Sequence, residues 1–350
     1  MAALKKLLKL VVEDGAKLGR AEARSLITNI LAPPDGEDPP TDLEIAALLT
    51  ALATRGETAD ELTGVAEAMR ALAVPIPLTK EERACLVDTC GTGGDGLGTF
   101  NISTGAALVA VAAGAQIAKH GNRAITSRCG SADVLEALGV PVTLTPDDAA
   151  ACLRATGFMF LYAPALHPAL KRVQPVRRAL GFRTIFNLAG PLTNPAGAPA
   201  QVMGVYSEAK LMVAAEAMAR LGVTFGMVAH GRNGMDEIAL SPTDAALVFG
   251  GRRASVQQVH YVPEVFGMKK AALRELVGCE SPEESAAILE KIFAGEPGAK
   301  RNIVVVNAAA ALLVGRVAAT LEEGVRLASE AIDSGTVREK LQQLREFKKS

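Results

Sequence analysis

Gly91-Thr92-Gly93-Gly94-Asp95-Gly96 places four glycines in six positions, a density that would weaken the interior of any helix or strand. It suits a tight loop whose backbone N–H groups come close to an anion. Asn101-Ile102-Ser103-Thr104-Gly105 follows, just ahead of an alanine-rich helical pattern, so that first-turn N–H groups are available to phosphate. The spacing is neither GxGxxG nor a P-loop ending in GK[ST], so a different phosphate cradle is expected, with Asp95 reaching a sugar hydroxyl or a metal-bound water. Asn101, Ser103 and Thr104 offer one amide and two hydroxyls; capping of the helix by Ser103 or Thr104 is the structural alternative.

Lys119-His120-Gly121-Asn122-Arg123 gathers three potentially basic side chains and an amide beside a glycine, a cluster suited to an anion. Lys119 supplies a point charge for phosphate, and Asn122 an oriented donor and acceptor. His120 fits either a base or a neutral donor near an acceptor substrate. Arg172, Arg177 and Arg178 lie around Pro175; any of them could hold a carboxylate bidentately, and spacing does not choose among them. Asp236-Glu237 follows a strand pattern and a Gly-Arg-Asn-Gly turn. In a loop two adjacent acids can converge, which suits Mg2+ held jointly with a ligand's phosphates. Together these parts point to a phosphorylated sugar bound with magnesium. Metal and Lys119 would stabilise the charge growing on a leaving diphosphate.

The elements that must position these groups change character along the chain. Residues 1–75 read as helices only: one pattern over roughly 4–31, a capping box at Thr41 and Glu44, and another at Thr58 and Glu61 running to about Ala73. Val74-Pro75-Ile76-Pro77 interrupts the pattern and sets a boundary near 75–80, and Thr79 with Glu82 begins a short helix. Beyond it, Leu86-Val87-Asp88, Ile117–His120, Val142-Thr143-Leu144, Phe158–Leu161, 204–206 and 224–229 read as strands. Helical patterns alternate with them from about 104, over Ser131–Leu138, after Pro146, and over 166–180 and 207–220. Such alternation argues for an α/β sheet with crossovers. Further helices are expected after Ser281, around 303–316 and after Thr320.

Composition narrows the function classes. The 350 residues carry a net charge of -1, which leaves no basic surplus for nucleic acid. Apolar runs break before about 18 residues, so no membrane span is expected, and the basic amphipathic start reads as a first helix and not a signal peptide. Five cysteines form no CxxC pair, which fits free thiols in a reducing, cytoplasmic setting.

The ordered set GTGGDG at 91–96, NIST at 101–104, KHGNR at 119–123, GSADVLEALG at 130–139, HPA at 167–169, PVRRALG at 175–181, FNLAGPLTNP at 186–195, GMDE at 234–237 and NAAAAL at 307–312 resembles the anthranilate phosphoribosyltransferase family. The resemblance implies transfer of a 5-phosphoribosyl group from 5-phosphoribosyl 1-diphosphate (PRPP) to the amino group of anthranilate. It implies a small all-helical domain, residues 1–75 joined in space by helices from about 165–185, plus a larger α/β domain, 76–350. The latter would have a mainly parallel, mixed central sheet surrounded by helices. By resemblance, Gly91, Thr92, Gly94, Asp95, Thr99, Asn101, Ser103, Thr104, Lys119 and Ser131 contact PRPP. Asp236 and Glu237, with Ser103, hold two Mg2+ ions; Lys119, Asp236 and Glu237 are the catalytic set. His120 and Asn122 flank the aromatic acceptor, and Arg177 meets its carboxylate. A homodimer through the helical domain is also implied, as are hinge closure and ordering of the loop around 119–123. Cys129, where the family often has serine, and Arg232-Asn233 before Met235 are local departures. A pyrimidine nucleoside phosphorylase-like enzyme is the nearest alternative, and it would not need the acid pair.

Overall fold

Three Thr-x-x-Glu boxes start helices as the sequence requires. At Thr41, Thr58 and Thr79 the threonine hydroxyl accepts from the glutamate N–H three residues on, and the glutamate side chain reaches back to the threonine N–H. The computed structural model describes residues 2–36, 38–93, 96–124, 129–250 and 254–349. The chain opens with α1 (Ala2–Glu13), α2 (Arg20–Leu31), α3 (Asp42–Arg55), α4 (Ala59–Ala71) and the short α5 (Lys80–Ala84). The pattern read as one helix over 4–31 is therefore two. Gly15 takes a left-handed φ of 61°, and Gly19 restarts the chain with its N–H donated to Glu22 Oε2. Glu61, buried at the start of α4, ties this bundle together by accepting from Arg55 and from the Leu18 and Thr58 N–H groups.

The α/β part then runs β1 (Leu86–Gly91), α6 (Ile102–Ala112), β2 (Gln116–Gly121), α7 (Ser131–Ala137), α8 (Pro146–Thr156), β3 (Phe158–Tyr162) and α9 (Ala163–Leu166). It continues with α10 (Gln174–Leu180), α11 (Ile185–Ala189), β4 (Ala200–Gly204), α12 (Leu211–Arg220), β5 (Phe225–Gly231), β6 (Thr243–Phe249) and β7 (Ser255–Tyr261). Four helices close the chain: α13 (Pro282–Phe293), α14 (Ala299–Val314), α15 (Leu321–Asp333) and α16 (Thr336–Glu346). One seven-stranded sheet has the order β3-β2-β1-β4-β5-β6-β7. Its β3 to β5 pairs are parallel, and β6 and β7 are antiparallel. The strand expected at Val142-Thr143-Leu144 does not form. Val142 and Leu144 bury their side chains in an extended connector that leads into α8 without a partner strand. The strand expected at 204–206 ends at Gly204, and 207–220 is helical from a 3-10 turn at Glu208–Lys210 onward.

Side chains alternate across the sheet, so each strand feeds two cores. Val202, Met227 and Ala229 join the core beneath α6 and α14; Met203 and Val228 join a core shared with α2, α3, α4 and α12. Val173, Val176 and Ile185 belong to that second core, α10 packs on α3, and Arg172 pairs with Asp42 at 2.6 Å.

Candidate active site at the carboxyl edge of the sheet

Strand order reverses between β1 and β4: β1, β2 and β3 run outward one way, and β4 and β5 the other. In open α/β sheets the crevice at such a switch point, beyond the strands' carboxyl ends, is where ligands bind. The glycine loop follows β1, Asn122 follows β2, and the acid pair follows β5. Within the glycine loop Gly93, Gly96 and Gly98 take φ between 65° and 74°, which other residues adopt at a cost.

The two glycines that end β1 and β4 let the acid-bearing turn approach the sheet. A Cβ on Gly204 would sit 1.3 Å from the Asp236 carbonyl oxygen, and one on Gly91 would sit 2.7 Å from Asp236 Oδ2. The Gly93 N–H donates to that same Oδ2 at 2.7 Å. Asp236 is buried, and Glu237 lies within electrostatic reach of Lys119. A cavity of about 20 Å³, room for one water-sized group, is lined by Thr89, Ser103, Asp236, Glu237, Ile238 and Asn307.

Lys119 is 1% exposed; its Nζ donates to the Thr89 carbonyl at 2.6 Å and lies 3.4 Å from Ser103 Oγ. Burial pushes its ammonium below the usual range, and Asp88 and Glu237 oppose that shift. His120, its neighbour on β2, turns to the other face, lies tilted against the His167 ring with centroids 5.1 Å apart, and is pushed down to about 3 by burial and by His167. The KHGNR cluster is thus dispersed. Lys119 lies within reach of Glu237, His120 faces His167 and the Gly190 backbone as a neutral imidazole, and Arg123 is taken by Asp133 and Glu136. Lys119–Gly121 is strand, so the expected loop around 119–123 begins only at Asn122.

Neither Ser103 nor Thr104 caps α6. Asn101 holds the N-cap position, and its side chain is engaged by the Cys129 carbonyl and Ser285. Thr104 is fully buried, and its Oγ1 has no hydrogen-bond partner among the described residues. Thr92 is fixed by its N–H to the Gly204 carbonyl and by the Tyr206 N–H donating to its hydroxyl. Thr99 lies farther along the loop, bridged to Val277, and Ser131 opens α7 with its hydroxyl donating to the Asn122 carbonyl. Gly94 and Asp95 lie outside the described residues.

The three arginines left open by spacing separate in the structure. Arg172 is held by Asp42 and the Pro40 carbonyl, and Arg178 is exposed. Arg177 sits over the Phe186 ring at 5.5 Å, its pKa lowered by burial, with no carboxylate partner among the described residues. Sequence reasoning missed His167 and Asp88. His167, in the HPA segment, is buried and pushed down to about 4 by burial. Asp88, fully buried, accepts from the His120 N–H and from Gln201 Nε2. An aspartate inside an apolar strand was the available signal.

For a metal, Asp236, Glu237 and Ser103 present hard oxygen donors, which fit Mg2+. Among the described residues no group of three or more His, Cys, Asp or Glu could enclose an ion. The donor set therefore fits an ion that keeps waters and takes ligand phosphate oxygens.

A helical bundle against a switch-point α/β sheet with a glycine-lined, acid-bearing edge is the architecture of the glycosyl transferase family that the chain matches. Residues 4–73 match the helical bundle domain of the glycosyl transferase family, and residues 83–338 match its a/b domain. The chain is 48% identical over 345 residues to anthranilate phosphoribosyltransferase of Symbiobacterium thermophilum, covering 98% of this chain and 97% of that protein. The crystal structure of the Thermus thermophilus enzyme aligns with a TM-score of 0.86 and 41% identity over 99% of both chains. The Saccharomyces cerevisiae enzyme in complex with PRPP and Mg aligns with a TM-score of 0.86 and 26% identity, over 98% of this chain and 97% of that one. The chain belongs to the anthranilate phosphoribosyltransferase family.

Proposed function

We infer that this chain transfers the 5-phosphoribosyl group of PRPP to the amino group of anthranilate, releasing diphosphate. The observation that carries this reading is the convergence of Asp236, Glu237, Ser103 and Lys119 at the switch-point edge. As the C1–O bond breaks, charge grows on the diphosphate, and Lys119 and the loop N–H groups favour that state over the ground state. Asp236 and Glu237, with Ser103, would hold Mg2+, two ions in our reading, which supplies further charge neutralisation to the diphosphate. Gly91, Thr92, Gly94, Asp95, Thr99, Asn101, Thr104 and Ser131 complete the proposed PRPP cradle.

Anthranilate carries an aryl amine whose lone pair is already available, so attack needs alignment and water exclusion more than deprotonation. The neutral His120 fits that requirement, since a ring pushed down to about 3 takes no proton near neutrality. Arg177 and Asn122 are assigned to orienting the acceptor, Arg177 through its carboxylate. We further propose a helical unit, 1–75, joined by 165–185, and an α/β unit, 76–350, with the helical unit forming a homodimer in the cytoplasm. No helix among the described residues is long and apolar enough to cross a membrane.

The direct test mixes purified protein with Mg2+, PRPP and anthranilate and follows loss of anthranilate fluorescence together with diphosphate release. Stoichiometric loss and release are expected, both abolished by chelation of the metal. Unchanged fluorescence alongside phosphorolysis of a pyrimidine nucleoside would overturn the reading.

A further inference from the structure

Asn307 is the polar residue in an otherwise apolar stretch of α14 from Ile303 to Leu312, and it is 6% exposed. A buried amide in such a place is costly unless its polar atoms are paired. They are: Oδ1 accepts from the Ile238 N–H at 3.1 Å, and Nδ2 donates to the Ile238 carbonyl at 2.9 Å and to the Ile303 carbonyl at 2.9 Å. Ile238 is fully buried, directly follows Glu237, and lies in irregular chain with no strand neighbour for its peptide. Asn307 thus does for this peptide what a β-ladder would do elsewhere.

The location gives the contact its meaning. On its other side the acid-bearing turn is fixed by its own bonds, Gly231 N–H to the Met235 carbonyl and Gly234 N–H to the Gly231 carbonyl, and by the Asp236 backbone resting on Gly204. Asn307 adds a hold from a different element, since α14 packs along α6, which carries Ser103. We propose that Asn307 is a positioning residue for the magnesium-binding acid pair. By holding both polar atoms of the Ile238 peptide it sets where Asp236 and Glu237 stand relative to Ser103 and Lys119. The proposal rests on the reading that this pair binds the metal.

The test measures equilibrium binding of PRPP by calorimetry at graded Mg2+, without anthranilate and so without turnover. The proteins compared are the unaltered enzyme, Asn307→Ala, Asn307→Asp and Asp236→Asn. Loss of an outer support typically weakens metal affinity by 10- to 100-fold, so the Mg2+ needed for half-maximal binding should rise about tenfold or more in Asn307→Ala. Asn307→Asp keeps an acceptor for the Ile238 N–H but turns a carboxylate oxygen toward the Ile238 and Ile303 carbonyls in place of the donor, and should show a rise in the same direction. Thermal unfolding is followed in parallel, and if Asn307→Ala does not fold, Asn307→Asp carries the comparison. A folded variant with lower thermal stability but unchanged Mg2+ dependence, while Asp236→Asn shifts it, overturns the proposal and leaves the acid pair's role standing. If Asp236→Asn also leaves it unchanged, the metal reading of the pair falls, and the proposal with it.

Discussion

At the scale of single residues, charge and burial separate groups that look alike in sequence. Arg172 and Arg178 are either ion-paired or exposed, whereas Arg177 is half-buried over Phe186 and has no carboxylate partner among the described residues. A desolvated guanidinium gains most from an anion that arrives with its ligand. Replacing it by alanine removes a charge-assisted hydrogen bond worth about 1.5–3 kcal/mol, so kcat/KM for anthranilate should fall about 10- to 100-fold. PRPP binding, measured by calorimetry, should stay within about twofold, because the phosphate groups are assigned to other side chains. Equal weakening of both substrates would remove Arg177 from its role. The approach of Lys119 to Glu237 was expected from the sequence because each charged group adjoins a glycine-bearing segment at the carboxyl end of a strand pattern. His120 was not: its direction depends on where β2 ends, and one residue of shift turns a side chain to the opposite face.

At the scale of elements, the capping boxes and the early βα alternation were readable because each depends on short-range chemistry. β6 and β7 were not, since β7 (Ser255–Tyr261) is a largely exposed edge strand whose polar sequence lacks an alternating apolar face. α16 likewise follows Gly335 with no side-chain cap to announce it. The close pair of β2 and the segment after α9 has a consequence for pH. Burial holds His120 at about 3 and His167 at about 4, against an ordinary 6.5. The unfolded chain takes up these protons near 6.5 while the folded one does not until lower pH. Stability is therefore full above 6.5 and is lost as pH falls toward 4. The slope reaches at most about 1.4 kcal/mol per pH unit for each histidine. Thermal midpoints measured from pH 7 to 5 should decline, and His120→Asn should decline less steeply. An equal slope in the variant would mean that other groups govern acid sensitivity.

At the scale of the whole molecule, the helical bundle and the sheet are laced together by polar contacts. Arg70 reaches the carbonyls of Leu192 and Leu221, Lys210 pairs with Glu57 at 2.5 Å, and Arg220 pairs with Asp60 at 2.7 Å. The exposed pair Arg220–Asp60 contributes little, about 0–1 kcal/mol, so the shared core beneath α4 and α12 holds the units together. The bundle's outer side is different. Leu10 and Val12 on α1 and Leu43 on α3 are exposed, Leu43 at 83%, and α1 packs beside α3. Apolar side chains gathered on neighbouring helices favour contact with a like surface, and a two-fold axis lets one patch meet its own copy. On the proposed homodimer, placing charge there by Val12→Arg with Leu43→Arg should halve the mass measured by light scattering at micromolar protein. The fold, read by circular dichroism, should be unchanged, because neither side chain belongs to a buried core. A variant that keeps the dimeric mass would move the interface off this face of the bundle.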